Sequence, residues 1–410
     1  MKLRRVPEDF FVEEISDFPI GREGSHAVYR LTKTGLGTLE AVDAIIQRWK
    51  IERQKMSWGG LKDRHAVTGQ FLTIFRGPKR DLEQNNLHLE YLGQAHQPFT
   101  AADIQANRFS LVLRSLGDDD VAFAETALGE VQKSGLPNYF DDQRFGSMSA
   151  AGEFIARPWI EGNYERTLWL TFAEPHPFDR SDEKVEKQIL RDHWGDWLTC
   201  KAKLARSHRR SVVTYLCDKP TDFRGAWARV KVDLRSLYLS AYQSYLWNEM
   251  AAEYLRQNCP AESLIDVALK TGPVPFFGQL PDDIRLKLQQ SSLPLPSARQ
   301  KLDPGPTAQL VDETLSKHSL ELRQIRVKYP RDSFFSKGWR KTAIRADGLS
   351  WSAGDDEMAN GRRRMTLDFT LPRGSYATIL IKRITVAGRP VEDEEPNPSA
   401  DDADASMAEP

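Results

Sequence analysis

Gly59-Gly60-Leu61-Lys62-Asp63-Arg64-His65-Ala66-Val67-Thr68-Gly69-Gln70 runs directly into Phe71-Leu72-Thr73-Ile74-Phe75. The second stretch is apolar, aromatic and β-branched, and predicts a strand of about five residues. The first packs two glycines, both charge signs, an imidazole, a hydroxyl and an amide into a turn on the lip of that strand. Rigid scaffolds present reactive groups in this way. Asp63 stands between Lys62 and Arg64, and two flanking cations favour the charged carboxylate that a nucleophile or a general base needs. A solvated charged turn is the competing reading, since such triplets are common on surfaces.

Upstream, residues 7–15 open with a turn and enter a short strand in which Phe10 and Val12 alternate with Phe11 and Glu13, so one phenylalanine should point away from the core. Thr38 caps a helix whose apolar face is Leu39, Val42, Ile45, Ile46 and Trp49. Downstream, Phe109, Leu111 and Leu113 alternate as a second strand. Asp119 or Asp120 caps the next helix, with Val121, Ala124, Leu128 and Val131 inward and Gly135 at its end. Residues 137–146, Pro-Asn-Tyr-Phe-Asp-Asp-Gln-Arg-Phe-Gly, bring together amides, aromatic rings and an arginine. Those three classes read base edges, stack on bases and pair with phosphate; the alternative is a loop whose rings plug a core.

From about Pro158 the texture changes, with tryptophans, prolines and a charged helix at about 182–198. A long helix follows at about 236–257. One of its stripes is Leu237, Ala241, Tyr245, Ala252 and Leu255; a second, mostly polar, is Ser240, Gln243, Ser244, Trp247 and Asn248. Two unlike faces predict packing through one and interaction through the other. Seven prolines between 273 and 306 mark irregular connections, and 312–324 returns to helix. Residues 365–371 alternate as a strand, 372–375 form a turn, and 376–384, with Ala377, Ile379 and Ile381 on one face, reads as a second strand completing a hairpin.

The 410 residues suffice for two domains, and 40 % of them are hydrophobic, enough for a sizeable core. The net charge of −1 conceals an uneven distribution. The last 21 residues hold eight acids and no base, which leaves 57 basic against 50 acidic residues in the remainder. Between Lys201 and Arg235, ten lysines and arginines face three aspartates, a candidate phosphate-contacting surface. Three scattered cysteines (Cys200, Cys217, Cys259) fit neither a disulfide framework nor a zinc site, and together with the absence of a secretory signal they point to the cytoplasm. No apolar run is long enough to span a membrane. No metal motif, phosphate loop, dinucleotide fingerprint or serine elbow occurs; Gly35-Leu36-Gly37 is too short to count. A solitary carboxylate among RNA-binding residue types suits chemistry at the glycosidic carbon of a nucleotide.

These residues resemble the TruD family of tRNA pseudouridine synthases. The resemblance rests on Pro7-Glu8-Asp9-Phe10 with Val12 and Glu14; on Gly60-Leu61-Lys62-Asp63 with Ala66, Thr68 and Gln70; on Asn138-Tyr139-Phe140 with Gln143-Arg144-Phe145-Gly146; and on Leu371-Pro372 with Gly374-Ser375-Tyr376-Ala377-Thr378. Leu239 to Ser244 with Asn248 forms a weaker fifth block. It implies an isomerase that breaks the N-glycosidic bond of a uridine, turns the base and joins it to the ribose through carbon, without metal or cofactor. Asp63 is then the catalytic aspartate. Phe10, Asn138 and Tyr376 contact the uridine, and Lys62, Gln70, Phe140 and Arg144 support the site. Tyr376 replaces a common Phe and Asp141 a common Gly.

The implied fold class is α+β: a catalytic domain on a central, mostly antiparallel sheet flanked by helices, interrupted by an inserted family-specific α/β domain. On this reading 1–157 and 329–388 form the catalytic domain, 158–328 the insertion, and 389–410 an acidic disordered tail able to compete with RNA for the basic cleft between the domains. The partner is tRNA, modified at position 13, with other RNAs used by some relatives; no membrane and no obligate protein partner is implied. Two other functions fit the scaffold: a non-catalytic RNA-binding or RNA-folding protein, and a hydrolase releasing free base.

Overall fold

The apolar run after the Asp63 turn lies at the heart of a ten-stranded sheet. The computed structural model describes residues 1–176 and 179–386, so the acidic tail lies outside the described residues. The strands are β1 (Lys2–Leu3), β2 (Phe10–Ile15), β3 (His26–Thr34), β4 (Met56–Trp58), β5 (Val67–Phe75), β6 (Leu82–Gln84), β7 (Leu87–Ala95), β8 (Ala106–Leu116), β9 (Asp347–Asp355) and β10 (Arg363–Pro372). Their order is β9-β10-β8-β2-β5-β3-β7-β6, with β1 added to β8 and β4 to β5. Only β2 and β5 run parallel; the other pairs are antiparallel, so the expected sheet is present.

Three helices cover this sheet. α1 (Thr38–Trp49) packs Ala41, Val42 and Ile45 on Tyr29, Leu31, Leu72 and Ile74. α2 (Asp118–Ser134) and α3 (Ala377–Thr385) share a second cluster with Phe10, Val12, Phe109, Leu111, Leu367 and Phe369. The apolar positions of α2 are those its periodicity predicts. The caps differ in detail. Gly37 and Gly117 take the N-cap places, and the carboxylates of Glu40 and Asp120 reach back to their N–H groups at 2.9 and 2.8 Å. The Thr38 hydroxyl is thereby free for another task.

The predicted strand over 376–384 is helix α3. Ala377, Leu380, Ile381 and Ile384 stand at i, i+3, i+4 and i+7, so the run satisfies the helical period as well as the alternating one, and a short apolar run does not discriminate between them. Gly374, at φ 79°, makes the turn that ends β10. The partner of β10 in the hairpin is β9, a strand the sequence reading did not mark.

The chain divides into two compact units. The first comprises 1–138, 278–280 and the part from Ala343 on; the second comprises 139–277 and 281–342. The expected limits of the insertion, 158 and 328, both fall within the second unit. That unit is largely helical, with two small two-stranded sheets, Leu264–Leu269 with Gly272–Phe277 and Ser292–Pro294 with Trp339–Lys341. The charged helix expected at 182–198 is two helices, Ser181–Asp192 and Trp197–Lys203, and the later one is Pro306–Lys317 followed by a short turn at Leu322–Gln324. The long helix, Val232–Asn258, lacks the expected outward polar face: Gln243, Ser244, Trp247 and Asn248 are all buried. Gln243, Trp247 and Asn248 donate to backbone carbonyls inside the unit and Ser244 accepts from Arg144, which an apolar stripe could not do.

Candidate functional site

Asp63 lies on the loop that feeds β5, with its side chain 16 % exposed. Its Oδ1 accepts the N–H of His65 at 3.0 Å, and its Oδ2 is ion-paired with the Arg4 guanidinium. Neither sequence neighbour supplies that cation. Lys62 turns to Glu14 Oε1 at 3.1 Å and Asn107 Oδ1 at 2.7 Å; Arg64 turns to Glu40 at 3.1 Å. The loop backbone is clamped from below by Lys33, whose ammonium donates to the carbonyls of Asp63 (2.8 Å) and Leu36. Burial pushes the Lys33 ammonium down to about 8, against the opposing pull of Asp63 and Glu40.

Two further contacts fix the loop. Thr38 Oγ1 accepts the N–H of Lys62 at 2.9 Å and donates to Gln70 Oε1 at 2.9 Å, while Gln70 Nε2 donates to the carbonyl of Gly60 at 3.2 Å. Glu14 has a fully buried carboxylate; burial raises it above the usual carboxylate range, against Lys62 and the N–H of Phe71, which donates to Oε2 at 2.8 Å. A Cβ at Gly59 would lie 2.4 Å from Ile104 Cδ1, so a side chain there requires Ile104 to move.

Phe10 begins β2, beside β5. Its ring, buried among Val12, Phe109 and Leu111, carries the Arg4 guanidinium 4.0 Å above its centroid. Arg4 therefore bridges Phe10 and Asp63. Its φ of 60° is a left-handed conformation uncommon for a residue with a Cβ. The turn that follows is pinned by Asp9, whose Oδ2 accepts the N–H groups of Arg5 and Val6 at 3.0 and 3.2 Å. Of the two phenylalanines, Phe10 is the inward one and Phe11 the half-exposed one.

Asn138 is buried, with Oδ1 accepting from Ser375 Oγ at 3.1 Å, so it abuts the turn that carries Tyr376. Tyr376 is half-buried and stands at the N-cap of α3. Next to Asn138, Leu136-Pro137 pairs antiparallel with Ala343-Ile344, where the chain leaves and re-enters the first unit.

Phe140 and Arg144 belong to the second unit. Asn248 brackets the Phe140 backbone, accepting its N–H at 2.9 Å and donating to its carbonyl at 2.8 Å. The Phe140 ring lies edge-on to Trp247, with Arg340 4.0 Å over its centroid. Arg144 Nε reaches Ser244 Oγ at 3.3 Å. Asp141 has φ −85°, so glycine's freedom is not needed there. Of the ten cations between 201 and 235, Lys203, Arg206, Lys219, Arg224, Arg229 and Lys231 are exposed. Arg235 is buried on Asp332 and Arg209 pairs with Glu186, so those two serve the fold.

Residues 1–384 match the family described as tRNA pseudouridine synthase D (TruD). The chain belongs to that family. The probable tRNA pseudouridine synthase D 1 of Methanococcus maripaludis is 30 % identical over 397 residues, covering 94 % of this chain and 99 % of that protein. The tRNA pseudouridine synthase D of Aquifex aeolicus is 26 % identical, with 94 % and 98 % covered. A crystal structure from Methanosarcina mazei, described as a TruD protein, superposes with a TM-score of 0.71 at 24 % identity over 94 % of this chain and 93 % of that one, a likeness that bears on the fold.

For this TruD-family chain, the residues expected to form the site divide as follows. Asp63, Lys62, Gln70 and Phe10 share the β2–β5 end of one sheet, tied together by Arg4, Thr38 and Glu14. Asn138 meets the Ser375-Tyr376 turn. Phe140 and Arg144, in the second unit, pack against Trp247, Asn248 and Ser244 of the long helix. Arg4, Lys33 and Thr38 were missed by the sequence reading. Arg4 precedes the first motif block and looks like an ordinary basic N-terminus, and the other two reach the site only once α1 and β3 are folded against β5. Among the described residues no group of three acids, histidines or cysteines could hold a metal, and no helix is long and apolar enough to cross a membrane.

Proposed function

We propose that this chain isomerises uridine to pseudouridine in tRNA, with Asp63 as the catalytic carboxylate. The observation that carries the reading is the setting of Asp63: a partly exposed carboxylate, paired with Arg4, on a loop locked by Thr38, Gln70 and buried Lys33. In the net reaction the bond from the ribose C1′ to N1 of uracil breaks and one from C1′ to C5 forms. The proton on C5 leaves and N1 gains one, so no external reactant enters. A fixed carboxylate close to C1′ can stabilise or capture that carbon while the base turns. A base inside a stacked stem is out of reach, so the uridine must be flipped out. Phe10, Asn138 and Tyr376 supply the ring faces and amide that would receive it; Arg4, lying over Phe10, must yield its place or share it. The position modified is that of the family, uridine 13, and the compartment is the cytoplasm where tRNA is processed.

Asp63→Asn keeps the shape and removes the charge. Wild type should form pseudouridine in a tRNA transcript, mapped to position 13, while Asp63→Asn binds the same tRNA and forms none. Full activity in the variant would place the catalytic acid elsewhere.

A further inference from the structure

Large aromatic side chains are seldom left in water on a strongly charged surface. Two such rings lie five residues apart in the sequence of the second unit: Phe334 is 53 % exposed and Trp339 is 55 % exposed. The stretch that carries them, residues 326–341, holds six cations (Arg326, Lys328, Arg331, Lys337, Arg340, Lys341) and one acid, Asp332. That acid is taken from inside, in a two-pronged pair with the buried Arg235 at 2.8 and 2.9 Å. Among the described residues, Arg326, Lys328, Arg331 and Lys337 are exposed and form no ion pair.

The stretch has little regular structure but is held firmly. Ser333 accepts from Arg235 at 2.8 Å, the Ser336 carbonyl accepts from Gln243 at 2.8 Å, and the Gly338 carbonyl accepts from Leu295 N at 2.9 Å. Trp339, Arg340 and Lys341 then pair with Pro294, Leu293 and Ser292. Alternation sends Arg340 inward onto Phe140 and Trp247, and leaves Trp339 and Lys341 outside. Phe334 has the Arg299 guanidinium 4.4 Å over its ring. The rings are thus displayed on a pinned backbone between uncompensated cations.

We propose that residues 326–341, with Trp339 and Phe334 as stacking faces and Arg331 and Lys337 as phosphate contacts, form a binding surface for unpaired nucleotides of the tRNA. A ring offers the same π-face to every base, and cations at this density follow a phosphate backbone. An acidic protein would satisfy the charges and leave the rings without a purpose. The inference rests on the reading that tRNA is the substrate, and it assigns that substrate a surface adjoining the basic stretch 201–235, whose Arg235 pairs with Asp332 and whose Arg224 lies 4.3 Å over the Tyr329 ring.

The test measures equilibrium binding of a tRNA transcript over a range of salt, using the full chain with Asp63→Asn as parent so that turnover plays no part. Trp339→Ala should weaken binding about tenfold at every salt concentration, and Trp339→Phe should recover most of the loss. Lys337→Ala should lower the slope of log affinity against log salt by about one. Ultraviolet cross-linking of the parent complex should attach RNA to the peptide carrying Trp339, a readout that needs no folded variant. Parent affinity in a folded Trp339→Ala protein, or no cross-link on that peptide, would overturn the surface. Because none of these readouts uses pseudouridine formation, failure of the catalytic reading registers separately, in wild-type activity.

Discussion

Arg114, inside the sheet on β8, donates through Nε to Oδ1 of Asp9 at 2.8 Å. The other oxygen of Asp9 takes the N–H groups of Arg5 and Val6, so this buried pair fixes the turn from which Arg4 reaches Asp63. The same guanidinium serves Asp356 and Glu357, each at 3.0 Å, and Asp356 Oδ2 accepts the N–H of Ser115 at 2.8 Å. A left-handed Arg4 persists only where its surroundings over-determine it, and this network does so.

Arg114→Ala leaves two buried carboxylates, Asp9 and Asp356, without their cation. Breaking such a pair costs about 3–5 kcal/mol, and the midpoint of denaturant unfolding should fall accordingly. Burial alone would raise Asp356, but the N–H groups of Met358 and Ser115 and the Arg114 guanidinium outweigh it and hold it below the usual carboxylate range. Its contribution is present above the unfolded carboxylate pKa and is lost as pH falls through the lower folded one. The gap between wild type and variant should therefore narrow on acidification below about pH 4.

Lys33 makes a prediction of the same sign on the alkaline side. Its folded pKa is about 8, below the unfolded value of 10.5, because burial disfavours the ammonium. Between those values the unfolded chain binds more protons, so stability rises with pH through that window. Relative to Lys33→Met, wild type should gain up to about 3 kcal/mol from pH 8 to 10.5, read as unfolding free energy across an alkaline series. Parallel curves would mean that Lys33 is not held in a desolvated place beneath the Asp63 loop.

The sequence revealed the strands on either side of the site because β2, β5, β8 and β10 alternate or run apolar over several residues. It revealed Asp63, Phe10, Asn138 and Tyr376 as parts of motif blocks. It did not reveal how the blocks interlock. Glu14 of the first block meets Lys62 of the second, Asn138 of the third meets Ser375 of the fourth, and Phe140 of the third is held by Asn248 of the fifth. These contacts span from 48 to 237 residues, beyond any local period. The charges in Lys62-Asp63-Arg64 also misled: adjacency suggested that Lys62 and Arg64 hold Asp63 in its charged form, whereas Arg4 is the cation paired with it and the two neighbours turn to Glu14 and Glu40. α3 was read as a strand because its residues fit both periods and only packing against α2 chooses between them.

Thr38 offers the sharpest test of how the loop is held. Its hydroxyl accepts from Lys62 N and donates to Gln70, and Gln70 in turn holds the Gly60 carbonyl, so one oxygen connects α1, β5 and the residue next to Asp63. Thr38→Val keeps the volume and removes that oxygen, leaving the Lys62 N–H and the Gln70 carbonyl oxygen without partners, at a cost of about 1–3 kcal/mol. The loop relieves that cost by moving, and a displacement near 1 Å lowers a rate about a hundredfold. The single-turnover rate of pseudouridine formation at saturating tRNA should fall by that order in Thr38→Val, with a far smaller change in tRNA affinity, and should return in Thr38→Ser. A wild-type rate in the valine variant would show that the hydroxyl does not hold Asp63 in place, and the positioning would then rest on Arg4 and Lys33.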